Sequence, residues 1–295
     1  MPNSRYTEMA QTKFHRTRRR NVFIAIIVVI VFGWWKLHSG NTSKVLSSSI
    51  DSKSTVAAPH VDAGLQAAIN KWVNTQNHHY GISVMELNGS LRTASYHDTD
   101  SFITASTYKT FVAFMVMYDI EHGKYDFRTN TATGKNVRDC MSVMIINSDD
   151  DCGKSLGFMV GWTQIDDLIK TMGIKNTDLN NYVGKDTNPV GDKHSTAKDE
   201  TTFLKLLYDG KLLSPLHTEL LLSLMKQQTH RERVPAGVPD GVEVADKPGW
   251  LDYAQNDMAI VYGKSSTYVV VILSDNSSTA PLAQLSSIIY NSLNP

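Results

Sequence analysis

The chain has 295 residues, 41% of them hydrophobic, with 29 basic and 29 acidic side chains and no net charge. That leaves room for one large domain or two small ones around a packed core, and it excludes a disordered chain. Six of the first 20 residues are Lys or Arg against a single Glu, so the remaining body, with 23 basic and 28 acidic residues, is mildly acidic and offers no basic surface for nucleic acid.

The basic cluster ends at Arg18, Arg19 and Arg20, and the fourteen residues VFIAIIVVIVFGWW at 22–35 carry no charge. A helix of that length is short for a hydrocarbon layer of about 30 Å. Arg20 and Lys36 can snorkel to the two surfaces, and Trp34 and Trp35 suit the interface. No small-x-small cleavage site follows in KLHSGNTS. An uncleaved signal anchor over 21–36 is therefore expected, with a cleaved signal peptide or a buried helix as the alternatives. Residues 1–20 would form a cytoplasmic tail, and the rest would be exported at the cell membrane. Residues 37–61, rich in Ser, Thr and Asp, read as a flexible tether to a domain over 62–295.

Within that domain, Leu65, Ala68, Ile69, Trp72 and Val73 share one face of a helix over 64–75. YGISVMEL (80–87) and LRTASY (91–96) read as short strands around the hairpin signal Asn88-Gly89. From Thr107 to about Glu121 the pattern is helical and apolar all round, which describes a buried helix. Further helices are expected near 136–146, 149–159, 163–172, 197–208 and 216–227, then strands at 242–250, 257–263 and 267–274 and a closing helix over 281–293. Strands at both ends with helices inserted between them predict an α+β domain. Its antiparallel sheet is completed by both ends of the domain and flanked by helices, with an inserted helical lobe and a cleft between the two.

Cys140 and Cys152 could pair in an oxidising compartment or stay as two buried thiols. No CxxC, HExxH or His cluster has metal-ligand spacing, so the ten histidines, His78 and His79 among them, read as surface residues, and neither metal nor cofactor is expected.

Three Ser-x-x-Lys matches occur, Ser106 to Lys109, Ser195 to Lys198 and Ser223 to Lys226. Acyl transfer through serine also needs a proton shuttle and donors for the oxyanion. Ser106 and Lys109, three apart on a helix, lie on one face, where a lysine freed of its proton by burial could act as base. The bland alternative makes Ser106 a helix cap and Lys109 a surface residue. SDD at Ser148, Asp149 and Asp150 and ADKPGW with Lys247, Pro248 and Gly249 follow in order; a literal SDN at Ser274 to Asn276 comes too late and reads as a strand-end turn. Lys247 could instead blunt an exposed sheet edge, and Pro248 suits an edge strand.

STYK, VRDCMSVMIINSDDD (137–151), STAKDETTFLKLLYDGKLLS (195–214) and ADKPGWLDYAQNDMAIVYG (245–263) together resemble a class A β-lactamase-like serine hydrolase. The resemblance implies Ser106 as acylated nucleophile, Lys109 as base, Ser148 as the proton relay to the leaving nitrogen and Lys247 as the holder of that relay and of a substrate carboxylate. It also implies an oxyanion hole from the N–H groups of Ser106 and Trp250, with Asp150 and Gly249 against the substrate. Two departures stand out. Asp150 replaces an amide donor and should hold Lys109 charged. No E-x-x-L-N glutamate for deacylation occurs in 176–194, where Asp178, Asp186 and Asp192 read as turn residues.

The expected function is that of a monomer hydrolysing a β-lactam, slowly if the acyl-enzyme persists. The alternatives are a D-alanyl-D-alanine peptidase or penicillin-binding protein acting on a D-alanyl wall peptide, and a catalytically weak wall-binding or β-lactam-sensing domain.

Overall fold

A computed structural model describes residues 58–180 and 193–295. The expected anchor at 21–36, most of the tether, Asp186 and Asp192 lie outside the described residues. Among the described residues, no helix is long and apolar enough to cross a membrane.

A two-residue strand and a helix open the domain. Strand β1, His60–Val61, runs into α1, Ala63–Val73, whose first turn is capped by Asp62 accepting from Leu65 N at 2.8 Å. β2, Tyr80–Glu86, and β3, Arg92–Tyr96, form the expected hairpin, with Gly89 at φ 73° in its loop. After β4, Phe102–Ile103, the chain enters α2, Lys109–Glu121. The lobe continues through α3, Val137–Ile146, α4, Asp150–Val160, and α5, Trp162–Thr171. β5, His194–Ser195, leads into α6, Ala197–Tyr208, and α7, Pro215–Lys226. A 3₁₀ turn at Val234–Gly237 precedes β6, Glu243–Leu251, β7, Ala254–Tyr262, β8, Thr267–Ser274, and α8, Thr279–Leu293.

The main sheet has the order β1-β3-β2-β8-β7-β6, so β2 from the start of the domain pairs with β8 from its end. The sheet expected to be antiparallel is mixed, because β1 pairs with β3 in the parallel sense. The free edge of β3 is filled by the incoming chain, and two residues are too few to show a period in sequence. The two-stranded ladder of β4 with β5 is equally invisible there.

β8 explains where the core sits. Its residues alternate between faces: Val269, Val271 and Leu273 pack with Phe111, Phe114 and Phe203 of the helical lobe, while Tyr268, Val270 and Ile272 pack with Ile69, Trp72 and Leu285 of α1 and α8. Helix α2 is buried on nearly every side, as its uninterrupted apolar pattern requires. Cys140 and Cys152 are joined in a disulfide that ties α3 to α4 across the loop carrying Ser148.

Candidate active site

Ser106 lies in the turn before α2 and does not cap it; the residue ahead of the first helical turn is Tyr108, which makes no side-chain cap bond. Ala105 beside it has φ 48°. A left-handed alanine costs about 1–3 kcal/mol and persists where surrounding structure demands it. One demand is visible at Gly249, where a Cβ would stand 2.6 Å from Thr104 O and 2.8 Å from Ser106 N. The strand β6 thus touches the backbone of the serine turn directly.

Lys109 projects from the first turn of α2 with no exposed surface. Its Nζ is 3.0 Å from Ser106 Oγ, 2.6 Å from Ser148 O, 3.3 Å from Ser148 Oγ and 2.6 Å from Asp150 Oδ1. A carbonyl and a carboxylate can only accept, so two N–H donors go to Ser148 O and Asp150. A neutral amine would then have its lone pair left for the hydroxyl proton of Ser106. Burial pushes the Lys109 ammonium below the usual lysine range, and Asp150 pulls the other way; burial wins. Asp150 thus favours the charged ammonium, as expected, while burial opposes it.

Ser148 sits between α3 and α4 at φ 61°, a second strained position. Its hydroxyl is 2.9 Å from Lys247 Nζ, which also donates to Pro248 O at 2.8 Å. Lys247 is completely buried, which excludes an edge-blunting role. Its pKa falls to about 7, first because of burial and then because of the Lys109 charge, against the pull of Asp246 and Asp257. Those two carboxyls are buried and raised, chiefly by burial; Asp246 pairs with Arg231 at 2.5 Å and Asp257 accepts from Val234 N at 3.0 Å.

β6 is an edge strand, and Pro248, which has no N–H for a ladder, fits there with its nitrogen toward the open side. Donor direction alternates along a strand, so the N–H of Trp250, two residues on, also points to the open edge rather than into the sheet. The Trp250 ring, 37% exposed, lies beside His230 and Arg233. Tyr108, Lys154 and Lys193 line the same cleft, of about 210 Å³, together with Ser106 and Asp150. Lys193 Nζ stands 4.1 Å over the Trp162 ring and 5.1 Å over that of Tyr108. All seven residues expected at the site belong to this one constellation.

The other motif copies are elsewhere. Ser195 is buried, with its hydroxyl 2.8 Å from Thr177 Oγ1, and Lys226 pairs with Glu243 at 2.8 Å rather than with Ser223. Ser274 ends β8 and Asn276 turns at φ 59°, as expected of a strand end. Asp178 bonds its carboxylate to Asn180 N at 3.1 Å, the behaviour of a turn residue.

Sequence reasoning missed several supports. Gly153, inside α4, leaves space for the lysine: a Cβ there would be 2.9 Å from Lys109 Cε and 3.0 Å from the Tyr108 hydroxyl. A glycine in a helix interior costs about 1 kcal/mol, and that cost was the available signal. Asn256 donates to Ile103 O at 2.7 Å and accepts from Ser274 N at 3.0 Å, tying β7 to the segment before Ser106. Thr107 Oγ1 lies 2.6 Å from Glu200 Oε1 and 3.0 Å from Thr104 O. Burial lifts Glu200 to about 8, so at neutral pH it is an acid that can donate to Thr107, which in turn donates to Thr104.

The sequence profile described as the β-lactamase enzyme family matches residues 64–293. A β-lactamase of Bacillus amyloliquefaciens is 29% identical over 211 residues, 63% of this chain and 68% of its own. A β-lactamase from Chitinophaga pinensis superposes with a TM-score of 0.71 at 19% identity, over 78% of this chain and 100% of that one. A variant of PBP-A, solved as an acyl-enzyme complex with penicillin G, superposes at 0.70 and 18% identity, over 80% and 98%. At these identities the two superpositions establish likeness of fold.

Proposed function

The chain belongs to the β-lactamase enzyme family and is a serine hydrolase of that type, and we propose that it opens β-lactam amides through an ester on Ser106 that water releases slowly. The observation that carries this reading is the unbroken chain of polar contacts from Ser106 Oγ through Lys109 Nζ and Ser148 Oγ to Lys247 Nζ. In the first step Ser106 Oγ attacks the carbonyl carbon as the neutral amine of Lys109 takes its proton. The N–H groups of Ser106 and Trp250 receive the oxyanion. Collapse breaks the C–N bond, Ser148 gives its proton to the leaving nitrogen, and the proton taken up by Lys109 returns to Ser148. Lys247, still cationic in part near neutral pH, attracts the substrate carboxylate.

Slow release is supported by the carboxylates at hand. Among the described residues lining the cleft, Asp150 is the one acid, and it is engaged by Lys109. A water left without a positioned base typically reacts about 10²–10⁴ more slowly. A D-alanyl wall peptide, with the same carboxylate and scissile amide, suits the same machinery. The family of the chain and the arginines flanking residues 22–35 support placement at the cell membrane with the domain on the exported side.

The test uses cells producing the full chain. Fluorescent penicillin should label a full-length species that sediments with membranes, and Ser106→Ala should abolish the label. Labelling that survives Ser106→Ala but disappears with Ser195→Ala or Ser223→Ala would overturn the assignment. A labelled product that is shortened and soluble would remove the anchor from the proposal.

A further inference from the structure

His79 and the two ends of one tight turn, His97 and Asp100, converge outside the cleft, with Asp100 N donating to His97 O at 3.1 Å across that turn. His79 immediately precedes β2, His97 follows β3, and Asp100 stands two residues before β4. Asp100 Oδ2 is 2.9 Å from His79 Nε2 and 2.8 Å from His97 Nδ1, and the three candidate ligand atoms all lie within 4.8 Å of one another. From this geometry we infer that His79, His97 and Asp100 form a binding site for a zinc ion, completed by water.

Two imidazoles and one carboxylate are a zinc donor set, whereas calcium and magnesium take oxygen ligands. A tetrahedral ion with ligand bonds of about 2.0–2.1 Å holds its ligand atoms about 3.3–3.4 Å apart. The two Asp100 contacts are already within about half an ångström of that spacing, and the imidazole nitrogens need close by no more than about 1.5 Å. The surroundings can support the metal-binding tautomer of His79. Its second nitrogen, Nδ1, lies 3.3 Å from Asp275 Oδ2, so a proton there can be donated to Asp275 while Nε2 keeps a lone pair for the metal. Carboxylate, imidazole and metal in series is the arrangement that orients and strengthens such a ligand. The His79 ring also stacks on Phe102 with centroids 4.6 Å apart and planes 28° from parallel, which fixes its plane. Backbone adds a further hold, since Asp275 N donates to His79 O at 3.1 Å. His97 turns its ring toward Asp100 from a left-handed backbone, φ 46°. No covalent chemistry is required: each imidazole shifts its proton to its other nitrogen, and the ion takes the vacated lone pair.

The bound ion would clamp the starts of β2 and β4 and the end of β3. From β4 the chain runs through Thr104 and Ala105 to Ser106, so the site is a structural one that steadies the approach to the reactive turn rather than a second catalytic centre.

The experiment takes the full-length chain in detergent, strips it with chelator and titrates it with zinc by calorimetry, with cobalt as a coloured probe of coordination. Zinc should bind with one equivalent that is absent from His97→Ala and from Asp100→Ala, and cobalt should give the intense visible band of a tetrahedral site. Asp275→Asn should retain the site but bind about 10–100-fold more weakly, the usual effect of losing a carboxylate behind a ligating histidine. His122→Ala, whose ring bonds Tyr118 O instead, should bind as wild type does. Each variant is checked for folding by penicillin labelling at Ser106. Zinc binding that is equal in wild type and in folded His97→Ala, or undetectable in wild type at millimolar zinc, overturns the inference. Unchanged affinity in Asp275→Asn would overturn the role given to Asp275.

Discussion

Replacing Asp150 with Asn separates the two forces that act on Lys109. Burial lowers the lysine pKa and the Asp150 carboxylate raises it. Asp150→Asn keeps an oxygen for Lys109 to donate to but removes the charge, so the pKa should fall further and a larger share of amine should be free at a given pH. The size of the effect follows from exposure. Lys109 has no exposed side-chain surface, but the Asp150 side chain is 74% exposed, and the 2.6 Å pair is therefore strongly screened. A pair of that kind contributes about 1 kcal/mol at most, which is under one pKa unit and about a fivefold change in the free amine. Stopped-flow acylation by a chromogenic cephalosporin, followed from acid to alkaline pH, should show the acid limb moving down by less than one unit. The rate on that limb should rise by up to about fivefold. Movement of the limb to higher pH, or no movement with the rate on the plateau alone changed, would refute the reading of Lys109 as a base held back by Asp150.

Two further outcomes follow from the supports of the site. The Cys140 to Cys152 bond closes a segment with a sequence separation of 12 that contains Ser148 and Asp150. Loop-closure entropy puts its contribution near 3 kcal/mol, so Cys140→Ser with Cys152→Ser should lower the melting temperature by about 6–12 °C and slow acylation; calorimetry showing an unchanged melting point would refute this. Glu200 has a folded pKa of about 8, raised by burial above its unfolded value of 4.5. Its stabilising effect is complete below the unfolded value and is lost as pH rises to and through 8, because over that range the unfolded chain has released the proton that the folded state still holds. Glu200→Gln keeps a donor for Thr107 and cannot ionise. In urea titrations its stability should decline less than that of wild type between pH 7 and pH 9, by about 1 kcal/mol, and equal declines would place the loss elsewhere.

Local spacing made the scaffold and half of the site legible. The helices α2, α6 and α8 and the strands β6 to β8 announce themselves through apolar periods of 3.6 and 2, which a chain writes over ten or so adjacent residues. Ser106 and Lys109 are close because a single i,i+3 turn brings residues three apart together, wherever that turn lies. The parallel ladder of β1 and the β4 to β5 pair escaped notice because two-residue strands have no period and their partners are distant. Likewise, nothing in Cys140 and Cys152 taken alone chose between a bond and two thiols until α3 and α4 set them 5.2 Å apart at Cα. Whether Lys109 is an amine or an ammonium was also beyond the sequence. That balance depends on how completely α2 is buried and on an Asp150 delivered from another helix, two long-range quantities of opposite sign. His79, His97 and Asp100 carry the same lesson, since the turn that holds His97 and Asp100 offers only two donors and His79 joins them only once β2 has paired with β3.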